Sequence, residues 1–302
     1  GDHAEATEAA KVQPQRGVAV HFPREPDHAS VGTDDREGGD LIANRAEAGA
    51  ERAGGGRGEH RSDGAVRAAG RIERKPAAVG EKLLAQRFPG KPVGVVFNTH
   101  WHATHSGFNA TARKLGADVV AHENTRLWLG TEVNSRWDNR VHPAQPAAAL
   151  PNRTFYYGPQ KLEFGGRSVE FGHLGQAHTD GDIFVRFADA NVIVGGGVVS
   201  PEAWPIGDPA SNGWLGGIYT ATKDLIARSD AQTRFVPGRG AVCGVEELKA
   251  QSELCFTVLQ RIGEVYFKGQ TFEELLAMQP ASAFEARLGD PSQFLRLSWD
   301  TA

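Results

Sequence analysis

A β-branched run, "PVGVVFN" at residues 92–98, leads directly into "THWHATH", which places His100, His102 and His105 within six residues. The run has the length and composition of a buried strand. It therefore carries imidazoles to the C-terminal end of a strand, where open α/β sheets commonly build their sites. Two histidines separated by one residue face the same side of an extended backbone, so His100 and His102 can share one cation at about 2.0–2.1 Å each. His105, one turn further on, can face the same ion or a neighbouring one. A third ligand for the first ion has to come from another strand, and "GQAHTDGD" (175–182) offers His178 after "VEFGHL". An isolated histidine near a loop more often only satisfies backbone groups; the spacing outweighs that reading here.

The surrounding texture is that of a layered α/β protein. "GEKLLAQRF" (80–88) reads as a helix end stopped by Pro89 and Gly90, "TARKLG" (111–116) as a short helix and "DVVAHE" (118–123) as a strand. Four more strand candidates follow at 153–158, 168–174, 182–188 and 191–197, the first preceded by the Pro/Ala stretch "HPAQPAAALPN", a flap or a connection. "TRFVPGRG" (233–240) runs into a Pro-Gly turn, and Val245 to Phe267 repeats apolar residues at helical spacing. "TFEE" (271–274) has the form of a capping box, with Thr271 and Glu274 at the reciprocal positions.

Residues 1–75 differ from this pattern. They hold five Val, two Ile, one Leu and one Phe against 12 Lys/Arg and 14 Asp/Glu, too few apolar groups for a core of their own. The chain thus divides into a low-hydrophobicity segment, 1–76, and a folded domain, 77–302. The net charge of −4 and the absence of a basic block argue against nucleic acid as a partner. No apolar run approaches the roughly 18 residues that span a bilayer, and no signal peptide is visible, which leaves a soluble cytoplasmic or periplasmic protein. Its first residue is Gly and its only methionine is Met278, consistent with a removed or replaced N-terminus. Cys243 and Cys255 make neither a framework nor a CxxC site and read as two idle buried thiols.

"THWHATHSGFN" resembles the HxHxDH signature of the metallo-β-lactamase superfamily, and the similarity continues in order through "AHENTR", "GQAHTDGD", "VIVGGGVVS" and "FVPGRG", over roughly residues 80–300. The resemblance implies a four-layer αββα sandwich with its site at one edge between two β-sheets. It also implies that His100, His102 and His178 hold a first metal. The second metal would use the Asp of HxHxDH, the next His and a His in a late PGHG-like turn, with a bridging carboxylate after the "VIVGG" strand. Those positions are Thr104, His105, Arg239 and Gly197. A threonine hydroxyl is a poor zinc ligand, glycine offers none, and arginine is permanently charged, so His105 is the remnant of a lost second site.

One zinc ion at most is expected. Three neutral imidazoles with an open fourth position form a competent site that lowers the pKa of water towards about 7. A carboxylate to orient that water is missing; Asp180 and Asp182 are near His178 in sequence, although a polar turn on "TDGD" explains both. His122, Glu202 and Asp208 are weaker candidates, each explained by a solvated loop. Arg239 either binds an anionic group of substrate or pairs with an acid such as Asp180. A non-haem iron oxygenase would want two histidines and a carboxylate, and Gly197 removes the expected carboxylate.

The expected function is a mononuclear zinc hydrolase acting on an ester, lactone, amide or related bond of a small molecule, impaired by its lost ligands; a degenerate scaffold or ligand-binding module is the alternative. The superfamily's usual strands and Asp-Thr-Gly-like turn before the histidine motif have no counterpart in residues 1–75. A shifted reading frame or a fusion is one origin for that segment, and reading the coding DNA in every frame decides it.

Overall fold

The computed structural model describes residues 76–302. The expected N-terminal segment therefore lies outside the described residues, but for its last position.

Helix α1 (Pro76–Arg87) leads into β1 (Val95–Phe97), the strand expected from the β-branched run. The histidine loop contains the single turn α2 (Ala103–Ser106) and is followed by α3 (Asn109–Lys114) and β2 (Asp118–His122). Next come α4 (Glu123–Leu129), a small hairpin of β3 (Val133–Ser135) with β4 (Arg140–His142), and β5 (Arg153–Phe155). Strands β1, β2 and β5 pair in parallel, in the order β1-β2-β5. The Pro/Ala stretch is a connection, with one 3-10 turn at Ala147–Ala149.

A second sheet takes β6 (Gln160–Phe164), β7 (Arg167–His173), β8 (Ile183–Phe187), β9 (Val192–Gly196) and β10 (Arg234–Pro237), in the order β10-β9-β8-β7-β6. β6 to β9 form an antiparallel meander, and β10 returns parallel to β9 after α5 (Leu215–Ala227). The chain ends in α6 (Val245–Tyr266), α7 (Phe272–Ala277), α8 (Ser282–Leu288) and α9 (Ser292–Asp300). Thr271 caps α7 as expected, its hydroxyl accepting from the Glu274 N–H while the Glu274 carboxylate accepts from the Thr271 N–H at 2.7 Å.

Alternation along the strands sorts the side chains into four layers. Val95, Phe97, Val120 and Phe155 of the smaller sheet meet Val169, Phe171, Ile183, Val185 and Phe187 of the larger one. On the outer face of the smaller sheet, Val93, Val96 and Val119 pack on Leu84 of α1 and on Phe108 and Ala112 at α3. Beyond the larger sheet, Phe184, Ile193 and Phe235 face Ile218 and Leu225 of α5 and Leu248, Cys255 and Val258 of α6. The order is helix, sheet, sheet, helix, the αββα sandwich that the sequence resemblance implies. Cys243 and Cys255 are free and buried, and burial pushes both thiols up to about 12. No helix among the described residues is long and apolar enough to cross a membrane.

Candidate metal centre

His100 and His102 follow β1, His178 follows β7, Gly197 follows β9 and Arg239 follows β10. Every one of these positions comes after the C-terminal end of a strand, so two sheets deliver them to one edge of the sandwich.

The histidine loop is held from behind by paired amides. Asn98 Nδ2 donates to Asn109 Oδ1 at 2.9 Å, and Asn109 Nδ2 donates back to Asn98 Oδ1 at 2.8 Å. Asn98 also reaches the His105 carbonyl, and Asn109 the Ala149 carbonyl. Ser106 Oγ lies within donating distance of the Trp101 and His102 carbonyls, at 3.0 and 3.1 Å. His100, His102 and His178 are 1%, 3% and 6% exposed, and their rings stand nearly perpendicular to one another, at 85° to 90°. They are the group of three His/Cys/Asp/Glu residues among the described ones that is placed to hold a metal, with one candidate ligand atom from each lying within 4.8 Å of the others.

The outward-facing nitrogens fix what the inward-facing ones can be. His178 Nδ1 lies 2.6 Å from the Ile206 carbonyl, so it carries the proton and leaves Nε2 bare. His102 Nε2 lies 3.0 Å from Asp208 Oδ2. That carboxylate also accepts from the Ser211 hydroxyl at 3.1 Å and from the Ala210 N–H at 3.1 Å. Ser211 Oγ in turn accepts from Trp101 Nε1 at 2.9 Å, which directs its own proton to Asp208. His102 therefore donates through Nε2 and leaves Nδ1 bare.

The two bare nitrogens, His178 Nε2 and His102 Nδ1, face each other at 3.0 Å. Lone pairs at that distance repel unless a positive charge lies between them. Protons are resisted: burial, the largest cause, holds His102 and His178 down at about 3 and His100 well below its ordinary value. Two nitrogens on one edge of a tetrahedral zinc site stand about 3.3 Å apart, so the donor set fits a cation. His100 completes it, with its Nδ1 held 3.1 Å from Thr99 Oγ1.

The other candidates fall at defined places. Asp180 accepts from Trp128 Nε1 at 2.6 Å through one carboxylate oxygen and from Asn212 Nδ2 at 2.7 Å through the other. Asp182 accepts from the Thr179 N–H at 2.7 Å and its hydroxyl at 3.2 Å, the polar turn considered from "TDGD", and burial pushes it up to about 8. Arg239 is exposed with its guanidinium 5.2 Å over the Trp137 ring, and Trp137 stacks on His102 at 4.7 Å. His105 is partly buried, its ring 4.3 Å from that of His100 and outside the three-histidine group. Thr104 is also partly buried, and Glu202 is exposed as expected.

Two weaker candidates correct the expectation of a solvated loop. Asp208 is fully buried and tied to His102. His122 is also buried; its Nδ1 accepts from the Asn124 N–H at 3.2 Å, and its ring stacks on His173 at 3.9 Å. Trp137 was not foreseen, because its proximity to the triad arises from a chain crossing with no local signal; Thr99 directly precedes His100, but only the folded loop turns its hydroxyl onto His100 Nδ1.

The model of the metallo-beta-lactamase superfamily matches residues 63–245, more than half of the chain. The chain belongs to the metallo-β-lactamase superfamily. Among solved structures, a metallo-beta-lactamase from Pontibacter korlensis is similar at 22% identity, covering 58% of this chain and 76% of that one with a TM-score of 0.47. The crystal structure of VMB-1 at pH 5.5 is similar at 18% identity, covering 61% and 78%, also with a TM-score of 0.47. Superfamily membership and the three-histidine cluster together fit a metal-dependent hydrolase.

Proposed function

We propose that the chain is a mononuclear metallohydrolase in which His100, His102 and His178 hold one zinc ion, and that it cleaves an ester, lactone, amide or related bond of a small-molecule substrate. The observation that carries this reading is the facing pair of bare nitrogens, His178 Nε2 and His102 Nδ1, 3.0 Å apart in a buried setting. Zinc bound there supplies a Lewis acid that polarises a carbonyl and lowers the pKa of water towards about 7.

The chain's own residues do the rest. Asp208 and the Ile206 carbonyl keep the ligand tautomers fixed, so no proton has to be displaced from the inward nitrogens. Trp137 covers the His102 ring and presents Arg239 beside it. From there the guanidinium binds an anionic group of substrate and orients the scissile bond against the triad.

A specific observation favours the second reading, a degenerate member that keeps the fold as a ligand-binding module. The carboxylates of Asp180, Asp182 and Asp208 are each engaged by two or more donors, which leaves none of them free as a general base. Metal content after purification in zinc separates the readings: about one zinc per chain, lost in His178→Ala, supports the first. No zinc leaves only the module. If zinc is present, a panel of β-lactams, lactones, thioesters and phosphoesters follows, and zinc without turnover of any of them also leaves the module.

A further inference from the structure

A hollow of about 200 Å³ opens beside the histidine loop, between it, the end of α4 and the connection after β4. Its lining includes the buried Trp101 and Leu129, the partly buried Trp128 and His142, and the exposed Pro143 and Pro146. Trp101 and His142 meet edge to face at 5.2 Å, which extends the aromatic lining. No described residue of the lining is Lys, Arg, Asp or Glu. Its hydroxyls are already engaged, Ser106 with the Trp101 and His102 carbonyls and Thr131 with the Leu127 carbonyl, and His142 Nε2 lies 3.0 Å from Asp138. A charged molecule would lose hydration here without replacement. An uncharged ring gains apolar burial and aromatic contacts instead. The volume suits a single ring, since a dry cavity of about 150 Å³ accommodates benzene.

The two indoles in the lining also reach the triad. Trp101 Nε1 donates to Ser211 Oγ, whose proton goes to Asp208, the partner of His102 Nε2. Trp128 Nε1 donates to Asp180, which accepts from Asn212 Nδ2 through its other oxygen and is the second residue after His178. Both indoles therefore fasten the segment 208–212, which fixes the His102 tautomer.

We propose that this hollow binds an uncharged molecule with a single aromatic ring, and that its occupancy acts on the three-histidine cluster through the two indoles. A bound ring steadies them and with them the His102 tautomer, so it strengthens zinc binding at the triad, and zinc strengthens binding of the ring by the same factor. This consequence rests on the triad being a zinc site; the hollow itself does not.

Fluorine NMR of 4-fluorobenzyl alcohol with the full-length, metal-free chain reads the site. The alcohol is expected to bind, and benzoate to displace it about tenfold less readily than benzyl alcohol does. Ala110→Leu sets a larger side chain in the hollow and is expected to weaken binding by about tenfold or more. Ala149→Phe fills it from the connection after β4 and serves if circular dichroism shows Ala110→Leu unfolded. No binding, equal displacement by benzoate, or wild-type binding in the filled variant overturns the site.

Zinc affinity, measured by chelator competition, is expected to rise about fivefold in the wild type saturated with the alcohol, and to stay unchanged in the filled variant. No rise in the wild type overturns the link to the triad. If the wild type takes no zinc, the metal reading fails separately, and long-range proton–nitrogen imidazole spectra decide the link. His102 signals displaced by the alcohol support it, and unchanged signals overturn it.

Discussion

At the scale of single residues, the outward-facing hydrogen bonds of His102 and His178 matter as much as their inward-facing nitrogens. Asp208 holds the His102 proton on Nε2, and an amide in its place could present an NH₂ group to that nitrogen and favour the wrong tautomer. Asp208→Asn is therefore expected to lower zinc affinity by about 10- to 100-fold, read by competition with a chromophoric chelator; an unchanged constant would refute the role. His122 gives a different prediction. Burial first, and His173 next, hold its imidazole down at about 4. Between pH 6.5 and about 4 the unfolded chain therefore takes up a proton that the folded one resists. The contribution of His122 to stability is complete above that window and is lost as the pH falls through it, on the order of 2 kcal/mol. His122→Asn keeps an acceptor for the Asn124 N–H and does not titrate, so thermal melts between pH 7 and 4 should fall less steeply than those of the wild type.

At the scale of elements, the site depends on how the loop after β1 is fastened to α3. Asn98 and Asn109 satisfy each other inside the protein, and both are fully buried. Asn109→Ala leaves the Asn98 amide without its partner, which costs about 1–3 kcal/mol in urea unfolding. The same change loosens the anchor of the His105 carbonyl, so zinc affinity is expected to fall with stability. A stability loss with undiminished affinity would show that the loop holds its shape by other means. Helix α5 opens on "LGGIY", where Gly-Gly disfavours a helix, yet a Cβ on Gly217 would run into the Gln176 carbonyl. The glycines allow the helix to pack close against the segment that carries His178.

At the scale of the whole molecule, the triad joins the two halves of the sandwich. His100 and His102 extend from the smaller sheet and His178 from the larger one, so the proposed ion would link layers otherwise joined chiefly by apolar packing. Ligand that binds only the folded state stabilises it by about 2.7 kcal/mol at one hundred times the dissociation constant. Thermal unfolding in zinc is accordingly expected some 5–10 °C above that in chelator, roughly 2–4 °C per kcal/mol for a domain of this size. His178→Ala should abolish the difference, and a zinc-dependent rise that survives it would place the ion elsewhere.

The order of strands and helices along most of the domain, and the identity of His100, His102 and His178, were legible because they depend on local periodicity and on spacing within short motifs. β6 was not, since "QKLEF" carries charges along an edge strand, nor was the β3–β4 hairpin, which is short and polar. The sequence also marked Gly197 as a place where a ligand is missing. Only packing shows that the His178 ring lies against it, and that Asp208, 30 positions further along the chain, is buried against His102. Local chemistry names the groups able to bind a metal. Which nitrogens are bare, and which glycines lie against a neighbour, follows from chain segments distant in sequence meeting at one edge of the sandwich.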